Sequence, residues 1–270
     1  TTFDQLKAFI DGARSSKVRA KDAMEDAQIQ GRLDALTEKL EQLRGAGQAP
    51  RSIIVYTDGP DGAGKSSTGA IVLSAITKAG YDTDAVSFKA PTAAEREQHW
   101  LQRFQDRGVP AGEQTARFWD RGPAGDAVYG DKTATEAKKM AGELRALERG
   151  LAEQGVLLFK VHVYADQEKQ ADTFGKRLAR QGAADELEHA LAKRGPITDA
   201  TRAALDNVRS KIDGDDLRAL VGYDDFQSKF LRFSKAADYH VVDASHRHEA
   251  RLAIIEALST ELDAFAAARA

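Results

Sequence analysis

Cysteine is absent from this 270-residue chain. Its absence excludes disulfide bonds, metal sites built from thiolates and cysteine nucleophiles. Long apolar segments are lacking too, because no run approaches the roughly 20 residues that a membrane-spanning helix needs, and no apolar signal region opens the chain. With an ordinary mixture of 42% hydrophobic and 30% charged residues, these absences lead us to expect a cytoplasmic enzyme.

A strong net charge is also missing. The formal value of -3 gives the chain no general attraction for polyanions, so a long anionic ligand must be met by cations that cluster locally. The length suits one large α/β domain, and no internal repeat or low-complexity tract divides it. We therefore predict a single domain over residues 1–270, with a helical leader over residues 1–48 and a helical lid module over residues 166–235.

The most informative stretch is residues 59–66, Gly-Pro-Asp-Gly-Ala-Gly-Lys-Ser. It matches the phosphate-binding (Walker A) pattern GxxxxGK[ST], in which glycines let backbone N–H groups surround phosphate oxygens at a helix N-terminus. The lysine is placed to bridge the transferring phosphates and the serine hydroxyl to hold Mg²⁺. The predicted phosphate-binding residues here are Gly59, Pro60, Gly62, Ala63, Gly64, Lys65, Ser66 and Ser67.

The surroundings of this loop predict a P-loop kinase-like three-layer α/β sandwich with about five parallel strands and a helical lid. An apolar run over residues 52–57 indicates a buried strand before the loop, and residues 67–79 a helix after it. Further strands are predicted over residues 84–88, 114–121, 156–164 and 239–243. The intervening and flanking helices are predicted over residues 1–15, 17–43, 93–107, 132–154 and 249–267.

Charged residues follow two of these strands. In an open parallel sheet, ligands bind outside the carboxyl ends of the strands, so Lys89 is a candidate phosphate contact, although a solvated loop lysine is an equal alternative. Asp120 ends the third strand, where P-loop enzymes need a carboxylate near magnesium, and Arg121 beside it is placed to offset developing phosphate charge. The alternative for Asp120 is a simple helix cap. His162 and the aromatic side chain of Trp100 are interpreted as core residues.

The leader and the lid carry less specific signals. The leader helix has a narrow apolar stripe of leucines, which predicts that it lies on a surface, either of its own domain or of a partner subunit. This stripe is our reason to expect a homo-oligomer. The lid segment is predicted to be helical, with a turn at residues 193–196. It is rich in arginine and lysine, and we expect most of these side chains to be solvated and to have no role in binding.

Four stretches together resemble the polyphosphate kinase 2 family, which transfers phosphoryl groups between inorganic polyphosphate and nucleotides. They are the loop at residues 55–66, the Ser-Phe-Lys-Ala-Pro-Thr block at residues 87–92 with the helix that follows it, the Phe-Trp-Asp-Arg motif at residues 118–121, and residues 155–178. The resemblance spans about residues 30–258. The Phe-Lys-Ala-Pro-Thr block is its more particular signal, because the loop is common to many kinases.

The resemblance implies roles for individual residues. Asp61 orients the acceptor phosphate or its metal, Lys65 and Lys89 contact transferring phosphates, and Asp120 holds Mg²⁺; Asp61, Ser66 and Asp120 are the implied metal ligands. Arg121 and Arg177 grip phosphates as the lid closes. The implied catalytic set is therefore Asp61, Lys65, Asp120 and Arg121, with inorganic polyphosphate and a nucleoside mono- or diphosphate as substrates, and with neither nucleic acid nor membrane as a partner.

The chain departs from the family pattern after Arg121. Gly122 stands where a serine is usual, the acidic Asp126 stands where some members have arginine, and the lid lacks a Lys-x-Trp-Lys signature. Two alternatives therefore stay open. One is an ATP-dependent nucleoside monophosphate kinase, since residues 61–66 also resemble thymidylate kinases. The other is a catalytically impaired phosphate-binding regulatory protein.

Overall fold

A computed structural model describes residues 16–65, 69–192 and 222–269, together with residues 199, 202 and 206. The helices are α1 (Ser16–Gly45), α2 (Leu73–Lys78, after a 3₁₀ turn at Ala70–Val72), α3 (Ala93–Arg96), α4 (Gln102–Gly108), α5 (Pro123–Tyr129), α6 (Ala134–Glu153), α7 (Gln167–Ala192), α8 (Tyr223–Ala236) and α9 (Arg247–Ala267). The strands are β1 (Ser52–Asp58), β2 (Asp82–Ser87), β3 (Thr115–Asp120), β4 (Val156–Tyr164) and β5 (His240–Asp243).

The strands form one five-stranded, all-parallel sheet in the order β2-β3-β1-β4-β5. β1 lies at its centre with every residue buried, and β4 is buried over all but its last residue. A central parallel strand is covered on both faces, which is why these two strands read as nearly continuous apolar runs. The predicted α/β class and five-stranded parallel sheet are confirmed.

Two hydrophobic cores lie on the two faces of the sheet. Ile53 and Val55 of β1 point into a core shared with α1, α2 and α9, whereas Ile54 and Tyr56 point into a second core shared with α4, α5, α6 and α8. The side chains of a strand alternate between its faces, so one strand serves both layers. The resulting three layers leave the carboxyl ends of β1, β2 and β3 next to one another.

The leader helix α1 packs on its own chain. Its apolar stripe is buried against α2 and α9, and its buried members are Ile29, Leu33, Leu36 and Leu40. The Thr37 hydroxyl donates to the Ala75 carbonyl at 3.3 Å, and Lys39 Nζ donates to Asp263 at 2.6 Å. Since this chain covers the stripe itself, the stripe is not evidence for a second subunit, and the predicted homo-oligomer stays a prediction.

Two local predictions are corrected, and one helix was missed. The single helix predicted over residues 93–107 is two short helices, because a capping box between Thr92 and Glu95 starts α3 and the chain turns again before α4. In the described part of the helix predicted over residues 67–79, a 3₁₀ turn at Ala70–Val72 precedes α2. Helix α5 was not predicted; its signal is a proline at the first helical position.

Some predictions fall on residues that the structure does not describe. The helix over residues 1–15, the turn at residues 193–196 and the side chains of Ser66 and Ser67 all lie outside the described residues. Within the described part of the chain, no helix is both long enough and apolar enough to cross a membrane.

Candidate active site

A cleft of about 530 Å³ opens at the carboxyl ends of β1, β2 and β3. The predicted phosphate-binding loop forms one wall, and the segment after β2 with α3 forms another. The turn after β3 and helix α5 complete it. Six basic residues line the cleft against four acidic ones; the basic residues are Lys65, Lys89, Arg96, Arg103, Arg121 and Lys132. The local cluster of cations that a polyanionic ligand requires is therefore present in a chain of net negative charge.

The loop is packed tightly against β4 and α7. A Cβ at Gly59, whose φ is +138°, would lie 2.0 Å from the Val163 carbonyl oxygen, and one at Gly62 (φ +82°) would lie 2.8 Å from Gln170 Cγ. Only glycine fits both the backbone angle and the space at these positions. Lys65 Nζ lies over the loop and donates to the carbonyls of Gly59 at 2.8 Å and Pro60 at 3.0 Å.

Asp61 is the ionic centre of the loop. Its Oδ1 accepts from Lys65 Nζ at 2.9 Å and lies 3.8 Å from Arg121 Nη2, and its Oδ2 accepts from the Tyr129 hydroxyl at 3.0 Å. Burial acts to raise the pKa of Asp61, but the charges of Lys65 and Arg121 and these hydrogen bonds outweigh it and lower the pKa to about 2. Asp61 is therefore an anion at neutral pH, as a metal or phosphate-orienting ligand must be.

Asp120 and Arg121 follow each other at the end of β3. Asp120 pairs with Thr57 of β1, and strand alternation puts its side chain on the same face as Phe118. The segment after the loop packs on that face, since a Cβ at Gly69 would lie 2.1 Å from Thr57 Cγ2. Asp120 thus lies on the side of the sheet against which Gly69 packs and is not part of the cleft wall, whereas Arg121 lines the cleft.

Lys89 lines the cleft and is held through its backbone. Its carbonyl accepts from Arg103 Nη1 at 2.7 Å, and Arg103, which is only 6% exposed, forms a close ion pair with Asp126. Burial raises the pKa of Asp126 to about 6, although the Arg103 charge opposes the rise. The acidic residue at position 126 is therefore the partner of a buried arginine, and that pair fixes the segment carrying Lys89.

The start of helix α7 contacts the loop directly. Gln170 donates through its side-chain amide to the Asp61 carbonyl, and the buried Phe174 packs against Gly62. The backbone of Arg177 lies farther along the same helix, but its side chain is outside the described residues. The lid entry is thus joined to the phosphate-binding loop by two side chains.

Other parts of the cleft went unrecognised in the sequence. Trp100, interpreted as core, is only half-buried, lines the cleft and donates to Glu143 at 2.6 Å, so that interpretation holds in part. Tyr129 carries no motif that would mark it, and Gln170, which contacts the loop from outside the cleft lining, was not singled out within the family-like stretch at residues 155–178. Asp58 did carry a signal, because an acidic residue ending a buried apolar strand needs specific partners. His162 is buried as predicted, but neither of its ring nitrogens has a hydrogen-bond partner among the described residues, so it is not the satisfied core histidine that was expected.

Comparison with known proteins places this chain in a family. The sequence model described as polyphosphate kinase 2 (PPK2) matches residues 16–183, more than half of the chain. The chain belongs to the polyphosphate kinase 2 family. The chain is therefore a kinase that transfers phosphoryl groups between polyphosphate and nucleotides. The family match does not support the ATP-dependent alternative.

Solved structures agree on the fold. PPK2 from Arthrobacter aurescens TC1 is similar with a TM-score of 0.63 and 23% identity, over 93% of this chain and 81% of that one. A putative PPK2 from Pseudomonas aeruginosa PA01 has the same TM-score of 0.63 and 19% identity, over 90% of this chain and 49% of that one. No curated protein sequence matches this chain significantly.

Proposed function

We propose that the cleft catalyses Mg²⁺-dependent phosphoryl transfer between inorganic polyphosphate and a nucleoside mono- or diphosphate, with Asp61, Lys65, Asp120 and Arg121 as the catalytic residues. One observation carries the proposal. The Lys65 ammonium and the Arg121 guanidinium both lie within 4 Å of the anionic Asp61 carboxylate, in a cleft lined by further cations. Phosphoryl transfer needs little more than such positioning and charge neutralisation.

The proposed ligands from the protein suit a divalent ion that also binds substrate phosphates. Among the described residues, no group of three or more histidine, aspartate or glutamate side chains stands close enough to hold a metal alone. Mg²⁺ characteristically binds through one or two carboxylates plus substrate phosphates, which matches Asp61 and Asp120, with Ser66 completing the proposed ligands. When bound, the ion neutralises phosphate charge in the transition state.

The chain's own residues supply the rest. The loop amides of residues 59–64, followed by Ser66 and Ser67, bind phosphate oxygens. Lys65 and Lys89 offset the negative charge of the transferring group, and Arg121 and Arg177 add positive charge as α7 closes. Asp61 orients the acceptor phosphate. A cytoplasmic location remains our prediction from composition.

A donor assay tests this function. The protein is incubated with Mg²⁺ and AMP or ADP, with either polyphosphate or ATP as donor, and new nucleotide phosphates are followed by chromatography. We expect product from polyphosphate. Product from ATP alone would reject the proposed donor, and tight polyphosphate binding with no turnover under any metal would identify an impaired, regulatory member instead.

A further inference from the structure

Helix α5, which carries Asp126 and Tyr129, begins without a side-chain cap of its own. Its N-cap residue is Gly122, which has no side chain to accept the free N–H groups of the first turn. Asp58, at the end of the neighbouring strand β1, caps the helix instead. Its Oδ1 accepts the Gly122 N–H at 2.9 Å and its Oδ2 accepts the Ala124 N–H at 3.0 Å. A carboxylate from another strand therefore caps the helix.

A third donor fixes this carboxylate from the far end of the chain. The Tyr239 hydroxyl donates to Asp58 Oδ2 at 2.9 Å across 181 positions of sequence. Both side chains are buried, and the Tyr239 ring packs edge-on against Tyr56, with ring centroids 5.6 Å apart. Three donors thus converge on one buried carboxylate, which leaves Asp58 little freedom to rotate.

The carboxylate also determines how closely the turn after β3 docks. A Cβ at Gly122 would lie 2.5 Å from Asp58 Oδ2 and 2.4 Å from Tyr56 Cδ2, so only glycine fits. The preceding residue, Arg121, has a φ of +71°, in the left-handed region that a non-glycine residue adopts only when its surroundings impose it. The first of the two N–H groups that donate to Asp58 belongs to the next residue along the chain, Gly122.

We infer that Asp58 and Tyr239 are positioning residues for phosphoryl transfer: by docking the turn at residues 120–124 they hold Asp120 and Arg121 in place beside the loop. Neither residue needs to touch the reacting phosphates. The inference rests on the proposed function, because it assigns these two residues a role in that reaction. Displacement of a charge-stabilising group by about 1 Å lowers a rate by as much as about 10²-fold.

The experiment uses Asp58→Asn and Tyr239→Phe in the full chain. Asp58→Asn replaces one of the accepting carboxylate oxygens with an NH₂ group, which cannot accept from the backbone N–H groups. Tyr239→Phe removes only the hydroxyl that donates to Asp58. Tyr81→Phe is the matched control, because the Tyr81 hydroxyl is equally buried and donates to Pro50 at 2.7 Å, before the opposite end of β1. We expect kcat to fall about 10-fold or more in Asp58→Asn and about 3-fold or more in Tyr239→Phe, with KM values within about 2-fold of the unmodified enzyme.

A second readout does not depend on activity. Amide hydrogen exchange at residues 122 and 124 should be faster in both variants than in the unmodified protein and in Tyr81→Phe. Unchanged kcat and exchange in a folded Tyr239→Phe variant would overturn the inference while leaving the proposed function intact, as would an equal loss of kcat in Tyr81→Phe. Absence of transfer by the unmodified enzyme would overturn the proposed function and the positioning role together.

Discussion

Lys65 Nζ donates to Asp61 Oδ1 at 2.9 Å, four residues earlier in the same loop. The other two hydrogen bonds of this ammonium go to the carbonyls of Gly59 and Pro60, so all three of its protons point to the loop itself. To grip a phosphate, the lysine must exchange at least one of these acceptors for a phosphate oxygen. Asp61 keeps its charge meanwhile, since Tyr129 and Arg121 also contact it.

Replacing Lys65 with methionine should abolish most transfer without unfolding the protein. We expect kcat/KM to fall by about 10²–10³, the usual cost of removing one charge-stabilising group from a transition state. The fold should survive because Asp61 retains Tyr129 and Arg121 as partners. Lys78→Met is the matched control, because Lys78 forms only an exposed pair with Asp34. Full activity in Lys65→Met, with thermal unfolding unchanged, would falsify the role of the loop lysine.

Asp120→Asn should change the metal requirement of the reaction. The amide keeps the shape of the side chain but loses the charge that a hard cation prefers, so the Mg²⁺ concentration at half-maximal rate should rise and the maximal rate should fall. Rates measured across a Mg²⁺ series give both quantities. Asp106→Asn on α4, where the exposed Asp106 accepts from Gln102, is the control. An Mg²⁺ dependence identical to that of the unmodified enzyme would remove Asp120 from the metal site.

Two buried groups should give opposite dependences of stability on pH. Burial, and after it the charge of Lys65, lowers the pKa of His162 from 6.5 to about 4. As the pH falls from 6.5 to 4, mainly the unfolded chain takes up this proton, so the free energy of unfolding falls. Burial raises the pKa of Asp126 from 3.8 to about 6. As the pH falls from 6 to 4, the folded state binds this proton more than the unfolded chain does, so the free energy of unfolding rises. Each effect amounts to at most about 3 kcal/mol.

Single variants separate the two effects. Between pH 6 and 4, His162→Leu should gain stability relative to the unmodified protein, and Asp126→Asn should lose it. Urea unfolding at several pH values measures both slopes, and the same experiment on His99→Gln, at an exposed position, provides the baseline. Parallel pH profiles for all four proteins would contradict the burial argument.

Local sequence patterns predicted the loop, the strands and most helices, because these elements depend on residue types within a few positions of one another. The Gly-rich loop, the apolar run of β4 and the stripe of α1 all belong to this class. The break between α3 and α4 does not. Residues at this break contact residues far away in the sequence: Trp100 donates to Glu143 on α6, and Arg103 pairs with Asp126 on α5.

The site was predictable to the same extent. Asp61, Lys65, Lys89 and Arg121 line the cleft as predicted from motif and strand-end position, although their catalytic roles remain proposals. The residues that hold them were not predictable in this way. Tyr239 reaches Asp58 across 181 positions and Tyr129 reaches Asp61 across 68, and nothing near either tyrosine in the sequence marks it for that contact.

The contact between the lid helix and the loop gives the last prediction. An added methyl at Gly62 would lie 2.8 Å from Gln170 Cγ and 3.0 Å from Phe174 Cζ, at a φ of +82° that favours glycine. Gly62→Ala should therefore displace the start of α7 from the loop, lowering kcat and raising KM for polyphosphate together. Gly175→Ala in the same helix meets nothing within 4 Å and should instead stabilise the protein by about 0.5–1 kcal/mol with activity unchanged. Steady-state kinetics and thermal unfolding of the two variants make the comparison, and equal behaviour would show that the loop does not depend on its contact with α7.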